Sequence, residues 1–316
     1  MRTLLALLMV AVLAVPAQAQ EKKTLKVSII PIQDVAPLFA AIKEGYFRQQ
    51  GLEIDTAPTA GGAFGIPGLV AGAYDIAFTN VVSTVQARAQ GLPVKIIAPA
   101  SAVGDGAGGP GGAGILVRKG EGIKTGADLA GKSLAVNTQK NIIWLYARAW
   151  VQKAGGDPNK VTYREVPFPQ MIDALRGKRV DAVFAVDPFL TIAAPDPGLE
   201  FIGSPYTEVQ PNLSVAQYVV TEDFLAKNPE TVKRFNAALQ QGIAWVSKNL
   251  GTKELHELLS GYTKIPVPLL AKMSPLVDPP RKVDADSIRK TLALMKQHDL
   301  LTGDVAVETL LAPSAR

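Results

Sequence analysis

The sequence predicts an α/β protein of two lobes, each a doubly wound sheet flanked by helices, with a helical section towards its C-terminal end. Three observations predict it. Short apolar, β-branched runs alternate with segments whose apolar residues recur at helical spacing, from Val27 to Ala98. A second set with the same alternation follows the glycine-rich stretch Val103 to Gly114. A polar loop recurs where each strand's carboxyl end should meet a helix, the place where open sheets bind ligands.

The first residues, MRTLLALLMVAVLAVPAQAQ, combine one Arg, an unbroken apolar run and the small-x-small ending Ala17-Gln18-Ala19. They predict a signal peptide, residues 1–19, cleaved after Ala19. The run is shorter than the roughly 20 residues needed to span a bilayer. Export to the periplasm is the expected localisation. The chain has no cysteine, which excludes disulfides, thiolate catalysis and Cys-based metal sites. Its 33 basic and 28 acidic residues are spread out, so no nucleic-acid footprint is expected. A hydrophobic content of 47% suffices for sizeable cores.

Val27 to Ile30 is the first expected strand, ended by Pro31. Gln33 and Asp34 form a tight loop, and Pro37 falls where a helix's first turn tolerates proline. Leu38, Phe39 and Ile42 share one helical face, Gly45 and Gly51 read as helix stops, and Leu52 to Ile54 begins a strand. Thr59 to Gly68 is expected as a glycine-rich loop feeding a short helix over 66–72. Tyr74 to Phe78 is a strand, Thr79-Asn80 follows it and can cap the helix 82–90, and Val94 to Ala98 is a strand.

The formal G-x-G-x-x-G at Gly106, Gly108 and Gly111 is rejected as a dinucleotide site, because Pro110 interrupts it and a strand-like Ile115-Leu116-Val117 follows. It reads as a flexible crossing between lobes. Residues 127–132 make a short helix and turn, Leu134 to Val136 a strand, Asn137-Thr138-Gln139 a polar loop, and 141–154 a helix. A strand over 161–166, a helix over 169–176 and a strand over 180–186 follow, closed by Asp187-Pro188-Phe189. Gly72 to Asp75 and Gly177 to Asp181 echo each other: a helix-stopping glycine, then an Asp opening an apolar strand. One more strand, 216–220, precedes helices over 222–227, 229–249, 253–259, 268–272 and 284–297.

The chemistry-bearing residues are few. His256 and His298 read as helical surface histidines without metal-ligand partners at standard spacing. No nucleophile elbow, zincin or Walker motif occurs, so neither catalysis nor a cofactor is expected. What recurs is the polar loop. Gln33-Asp34, Thr79-Asn80, Asn137-Thr138 and Asp187 can hydrogen-bond a small polar ligand, with Phe64, Trp144 or Phe189 as apolar walls; Trp144 and Phe189 weigh more toward core. Each loop singly reads as well as a helix cap, and the joint pattern favours ligand contact.

Five stretches, taken in order, resemble one family: APLFAAIKEGYFRQQGLEI at 36–54, LVAGAYDIAFTN at 69–80, ADLAGKSLAV at 127–136, MIDALRGKRVDAVFAVDPF at 171–189 and VTEDFLAKNPETVKRF at 220–235. They are similar to the periplasmic binding proteins for nitrate, sulfonates, taurine and thiamine-pyrimidine precursors. The resemblance implies a hinged, type II periplasmic-binding-protein fold with two chain crossings. Its first lobe would be residues 24–112 plus 208–316 and its second 113–207. It implies a monomer that passes its ligand to an inner-membrane ABC permease. The family's pocket loops fall on Gln33, Asp34, Phe64, Thr79, Asn80, Asn137, Thr138 and Asp187. Many relatives carry Glu at the position of Asp187, so the side chain here is one methylene shorter. Eukaryotic enzymes that make the thiamine pyrimidine share the fold but rely on a cysteine-containing stretch, which this chain lacks.

The expected function is an extracytoplasmic solute-binding protein for a sulfonate, aromatic carboxylate, zwitterion or pyrimidine-type ligand. The alternatives are a secreted ligand-sensing module for a receptor and, further off, a thiamine-pyrimidine enzyme.

Overall fold

Strands buried on both faces need helices on both sides, and the chain supplies one after most of its strands, the strand pair 94–102 and 113–118 excepted. A computed structural model describes residues 23–106, 112–193, 195–273 and 276–315. The predicted leader and the centre of the glycine-rich crossing lie outside them. Ten strands form: β1 (Lys23–Ile29), β2 (Leu52–Pro58), β3 (Ile76–Asn80), β4 (Val94–Ala102), β5 (Ala113–Arg118), β6 (Ser133–Val136), β7 (Thr162–Glu165), β8 (Ala182–Val186), β9 (Leu199–Gly203) and β10 (Ser214–Thr221).

They make two five-stranded sheets, ordered β2-β1-β3-β10-β4 and β7-β6-β8-β5-β9. In both, a parallel triplet is joined to its last strand by a strand that has just crossed from the other sheet. β10 runs antiparallel to β3 and β4, and β5 antiparallel to β8 and β9. The sheets are therefore mixed rather than wholly parallel. The two inserted strands enter from the crossing side, against the direction of their neighbours.

The echo between the two halves is a structural equivalence. The Asp75 N–H donates to the Lys26 carbonyl at 2.9 Å, and its carboxylate accepts from the Lys26 N–H at 2.8 Å. Asp181 repeats this on Ser133: its N–H donates at 3.0 Å, and its carboxylate accepts from the Ser133 N–H and hydroxyl, each at 2.7 Å. Burial alone would raise the Asp181 carboxyl, but the Ser133 bonds and nearby Lys132 and Arg118 hold it below its ordinary range. In each case the Asp pins the start of the third strand to the first. Three residues before each Asp the preceding helix is stopped by a left-handed residue, Gly72 (φ 77°) in one half and Lys178 (φ 57°) in the other. The stop in the second half is thus Lys178, one residue past the glycine the sequence suggests.

Other expectations shift for local reasons. The helix expected over 66–72 runs Gly62–Val70, with Pro67 inside it. Pro67 is tolerated because the Ala63 carbonyl it cannot bond lies on the exposed side. β9 and the helix Pro205–Val209 were not expected. The late helices Glu222–Lys227, Pro229–Lys248, Lys253–Thr263, Val267–Leu270 and Ala285–Gln297 match expectation to within a few residues. His298, expected on the surface, is buried behind the last of these, and burial followed by nearby Arg148 lowers its pKa.

Two buried links join the halves. The Tyr146 hydroxyl on the helix Ile142–Lys153 meets Gln210 at 2.8 Å and Thr291 at 3.0 Å. Gln210 in turn donates to the Ser287 carbonyl and hydroxyl at 3.0 Å. On the far side of the 229–248 helix, Gly242 lies so close to the Ala36–Lys43 helix that a Cβ would sit 2.1 Å from the Pro37 carbonyl oxygen. Gly242→Ala should therefore cost about 1–3 kcal/mol, whereas Lys178→Gly should gain about 1 kcal/mol by relieving a left-handed residue. Urea unfolding checks both: the midpoint should fall for the first and rise for the second, at unchanged slope.

Candidate functional site

The parallel strands of both sheets point their carboxyl ends at one enclosed space, a cavity of about 80 Å³. Ile30 after β1, Phe78 and Asn80 of β3, and Ala100 to Val103 at the end of β4 form one wall. Asn137, Asn141, Ile142, Phe168 and Val186 form the other, and Leu276, Val277 and Pro279 close it from the C-terminal section. Among the described residues no Lys, Arg or His lines it, and Asp34 is its one charged side chain.

Asp34 sits in a 3₁₀ turn, Gln33–Val35, which leads into the Ala36–Lys43 helix. It does not cap that helix, whose N-cap is Val35 without a side-chain bond. Its carboxylate instead accepts from the Ser101 hydroxyl at the end of β4. Burial pushes the Asp34 carboxyl up to about 6, against the lowering effect of the Ser101 bond and a turn N–H, and the negative charge of Asp187 adds to the rise. Part of Asp34 still opens on the cavity. Tyr206, Tyr218 and Tyr262 surround it, their hydroxyls raised first by burial and then by the charge of Asp34. The Tyr262 hydroxyl donates to the Ile32 carbonyl at 3.1 Å, while the buried Tyr218 hydroxyl has no partner.

Of the sequence-predicted residues, Gln33, Asp34, Asn80 and Asn137 line this cavity. Gln33 is buried, with its Oε1 unpartnered. Asn80 caps the Val81–Ala89 helix through the Ser83 N–H at 2.9 Å. Asn137 does not cap the 142–153 helix, a role taken by Asn141 through the Trp144 N–H. Asn137 accepts from Asn141 at 2.8 Å and donates across the cleft to the Ala60 carbonyl at 3.1 Å.

The structure places the other four outside the cavity wall. Phe64 is 57% exposed, on the outer face of the 62–70 helix. Thr79 is fully buried, its Oγ1 2.1 Å from where a Cβ on Gly62 would stand. Thr138 is buried against Gly61. Asp187, 1% exposed, spends its Oδ1 on the Thr191 N–H at 2.9 Å and hydroxyl at 2.8 Å, and burial outweighs those bonds to raise its pKa. Phe189 is core, stacked near Phe168, and Trp144 packs on Tyr163 and Arg148 away from the cavity.

Sequence reasoning missed Ser101, Tyr206, Asn141 and Phe168. Ser204-Pro205 is a helix-start signal that could have located Tyr206. Asn141, directly before the apolar run of its helix, is a better N-cap position than Asn137. Nothing local marks Ser101. Among the described residues no group of three His, Cys, Asp or Glu could hold a metal, and no helix is long and apolar enough to cross a membrane.

A family model described as NMT1/THI5 like matches residues 32–249. A provisionally named ABC transporter periplasmic binding protein of Brachyspira hyodysenteriae is 24% identical over 313 residues, covering 89% of this chain and 84% of its own. The bicarbonate-binding protein CmpA of Synechococcus elongatus is 21% identical over 312 residues, 86% of this chain but 64% of its own length. Two solved structures share the fold. The periplasmic nitrate-binding protein NrtA from Synechocystis PCC 6803 superposes with a TM-score of 0.76 at 16% identity, over 91% of this chain and 84% of that one. The periplasmic aliphatic sulphonate binding protein SsuA from Escherichia coli gives 0.71 at 16%, over 93% and 98%. The two-lobe architecture expected from sequence is the architecture of these neighbours.

Asp34 is held at a cost to folding. A carboxyl moved from 3.8 to about 6 binds its proton more tightly folded than unfolded, so stability falls as pH rises from about 4 to about 6. Asp34→Asn, which can still accept from Ser101, should add about 1–3 kcal/mol at pH above 7 and nothing near pH 4. Denaturant titrations at the two pH values check this, and an equal gain at both would assign the effect to packing.

Proposed function

The chain belongs to the NMT1/THI5-like family, and on that premise we propose that it is an extracytoplasmic solute-binding protein of an ABC importer. It would capture a small polar organic molecule between its lobes in the periplasm, as a monomer, and deliver it to an inner-membrane permease. The observation that carries this reading is the enclosed cavity between the carboxyl ends of both sheets, walled by the loops of each.

The proposed lobes are residues 24–112 plus 208–316, and 113–207. The chain passes between the sheets after β4 and again after β9, which supports a hinge in those two connections. A ligand stabilises the closed form only by the contacts it makes there and not in the open form. The Asn137 bond to the Ala60 carbonyl joins residues of the two proposed lobes and is a contact that closure would use. Binding rather than catalysis is supported by the relatives, which are named as binding proteins.

A thermal-shift screen of sulfonates, aromatic acids, pyrimidines, amines and amino acids should find a stabilising solute. At 100 times its Kd that solute adds about 2.7 kcal/mol. Deleting the gene should abolish uptake of the same solute. Intact uptake with lost chemotaxis would favour a sensor instead, and turnover of the solute an enzyme. Asn137→Ala should weaken binding by about 1–3 kcal/mol in calorimetry; unchanged affinity would remove Asn137 from the closed-form contacts.

A further inference from the structure

Resting on the solute-binding reading, we propose that the cavity selects a small molecule that presents a protonated nitrogen, or failing that a neutral N–H donor, to Asp34, and that it rejects anions. The charges around Asp34 carry this. The polar and titratable groups that act on it are Ser101 of β4, Tyr206 of the 205–209 helix, Tyr218 of β10, Tyr262 of the 253–263 helix and Asp187 after β8. They are one hydroxyl, three phenols and a second carboxyl. The one other acidic group that acts on Asp34 is the Asp187 carboxyl, and among the described residues that line the cavity no cation offsets the Asp34 charge.

A buried carboxylate without a cation is expensive unless something supplies the missing partner. The lining side chains do not supply it, so a ligand cation would be that partner. A bound anion would bring a further negative charge toward two carboxyls. The rest of the wall suits the body of such a molecule. Phe78, Phe168 and Tyr206 offer aromatic surface, which attracts an organic cation as well as its apolar part. The opposite wall presents Asn137 and Asn141, neutral groups already bonded to each other and to helix or loop backbone. They can meet a polar end but do not compensate a full negative charge.

The test uses two isosteric sets, acetamidine, acetamide and acetate, and benzamidine, benzamide and benzoate, titrated calorimetrically into the mature chain. Within the set that fits, the amidine should bind best, the amide next and the carboxylate not measurably. Asp34→Asn, which should fold more stably than the parent, should lose about tenfold or more in amidine affinity and little in amide affinity. Amidine binding should also weaken as pH falls from about 7.5 to about 5, because Asp34 then takes a proton. A carboxylate that binds better than its amidine, or an amidine indifferent to Asp34→Asn, overturns the charge assignment while leaving solute binding intact. If neither set binds, the same comparison on any solute from the wider screen decides: an anionic solute overturns the assignment, and a cationic one lost in Asp34→Asn supports it. If no compound of any kind binds, the solute-binding reading falls as well.

Discussion

The two sheets hold together through strands that do not belong to them by sequence. β4 reaches the first sheet only through β10, and β9 reaches the second only through β5. Each sheet is therefore incomplete until the chain has crossed, and each crossing fixes where the strand ends of one half stand against the other. β10 shows the consequence. Its pairing with β4 is irregular between Ser214 and Ala216 and again before Gln217. Val215 and Ala216, at that irregularity, line the cavity. A bulge re-aims side chains at a strand end, so the device that completes the sheet also shapes the site.

Around that frame the energetics divide cleanly. Asp75 and Asp181 are carboxylates spent on backbone N–H groups at strand starts, and the Ser133 bonds hold Asp181 low in pKa. Asp34 is the opposite case: buried among phenols, bonded to one hydroxyl and pushed up in pKa. The same residue type stabilises in one setting and destabilises in the other. Perturbed carboxyls that oppose folding gather at functional sites; of the two raised carboxyls, Asp34 faces the cavity and Asp187 lies behind its wall.

Much of this was legible in the sequence. Gly45, Gly51 and Gly72 stop helices with positive φ as their positions suggest, and the alternation of runs gave the strands of both sheets but one. β9 escaped because it is an edge strand whose residues Leu199 to Ile202 are exposed or half-buried, with Glu200 interrupting any apolar run. With β9 went the helix that brings Tyr206 to the site. The second half's stop was misplaced by one residue because Lys178 adopts a conformation that composition assigns to Gly177. Ser101 was out of reach altogether: its role depends on how far the end of β4 extends beside the Gln33–Val35 turn, which is a tertiary distance.

The polar loops divide between the cavity wall and the contact of one half with the other. A polar side chain at a strand's carboxyl end has two possible destinations, the ligand space and the opposing lobe. Gly61 and Gly62 decide between them. Without side chains there, the start of the 62–70 helix approaches Thr79 and Ser83 of its own half, and Asn137 and Thr138 of the other, within the radius of a single Cβ. Thr79 and Thr138 are buried at that contact with their hydroxyls unpartnered, while Asn80 and Asn137 line the cavity wall. Spacing in the sequence marks all four as equivalent. Their division follows from a close approach that only the folded chain creates, and the same approach brings Ala60 within hydrogen-bond reach of Asn137 and closes the cavity on that side.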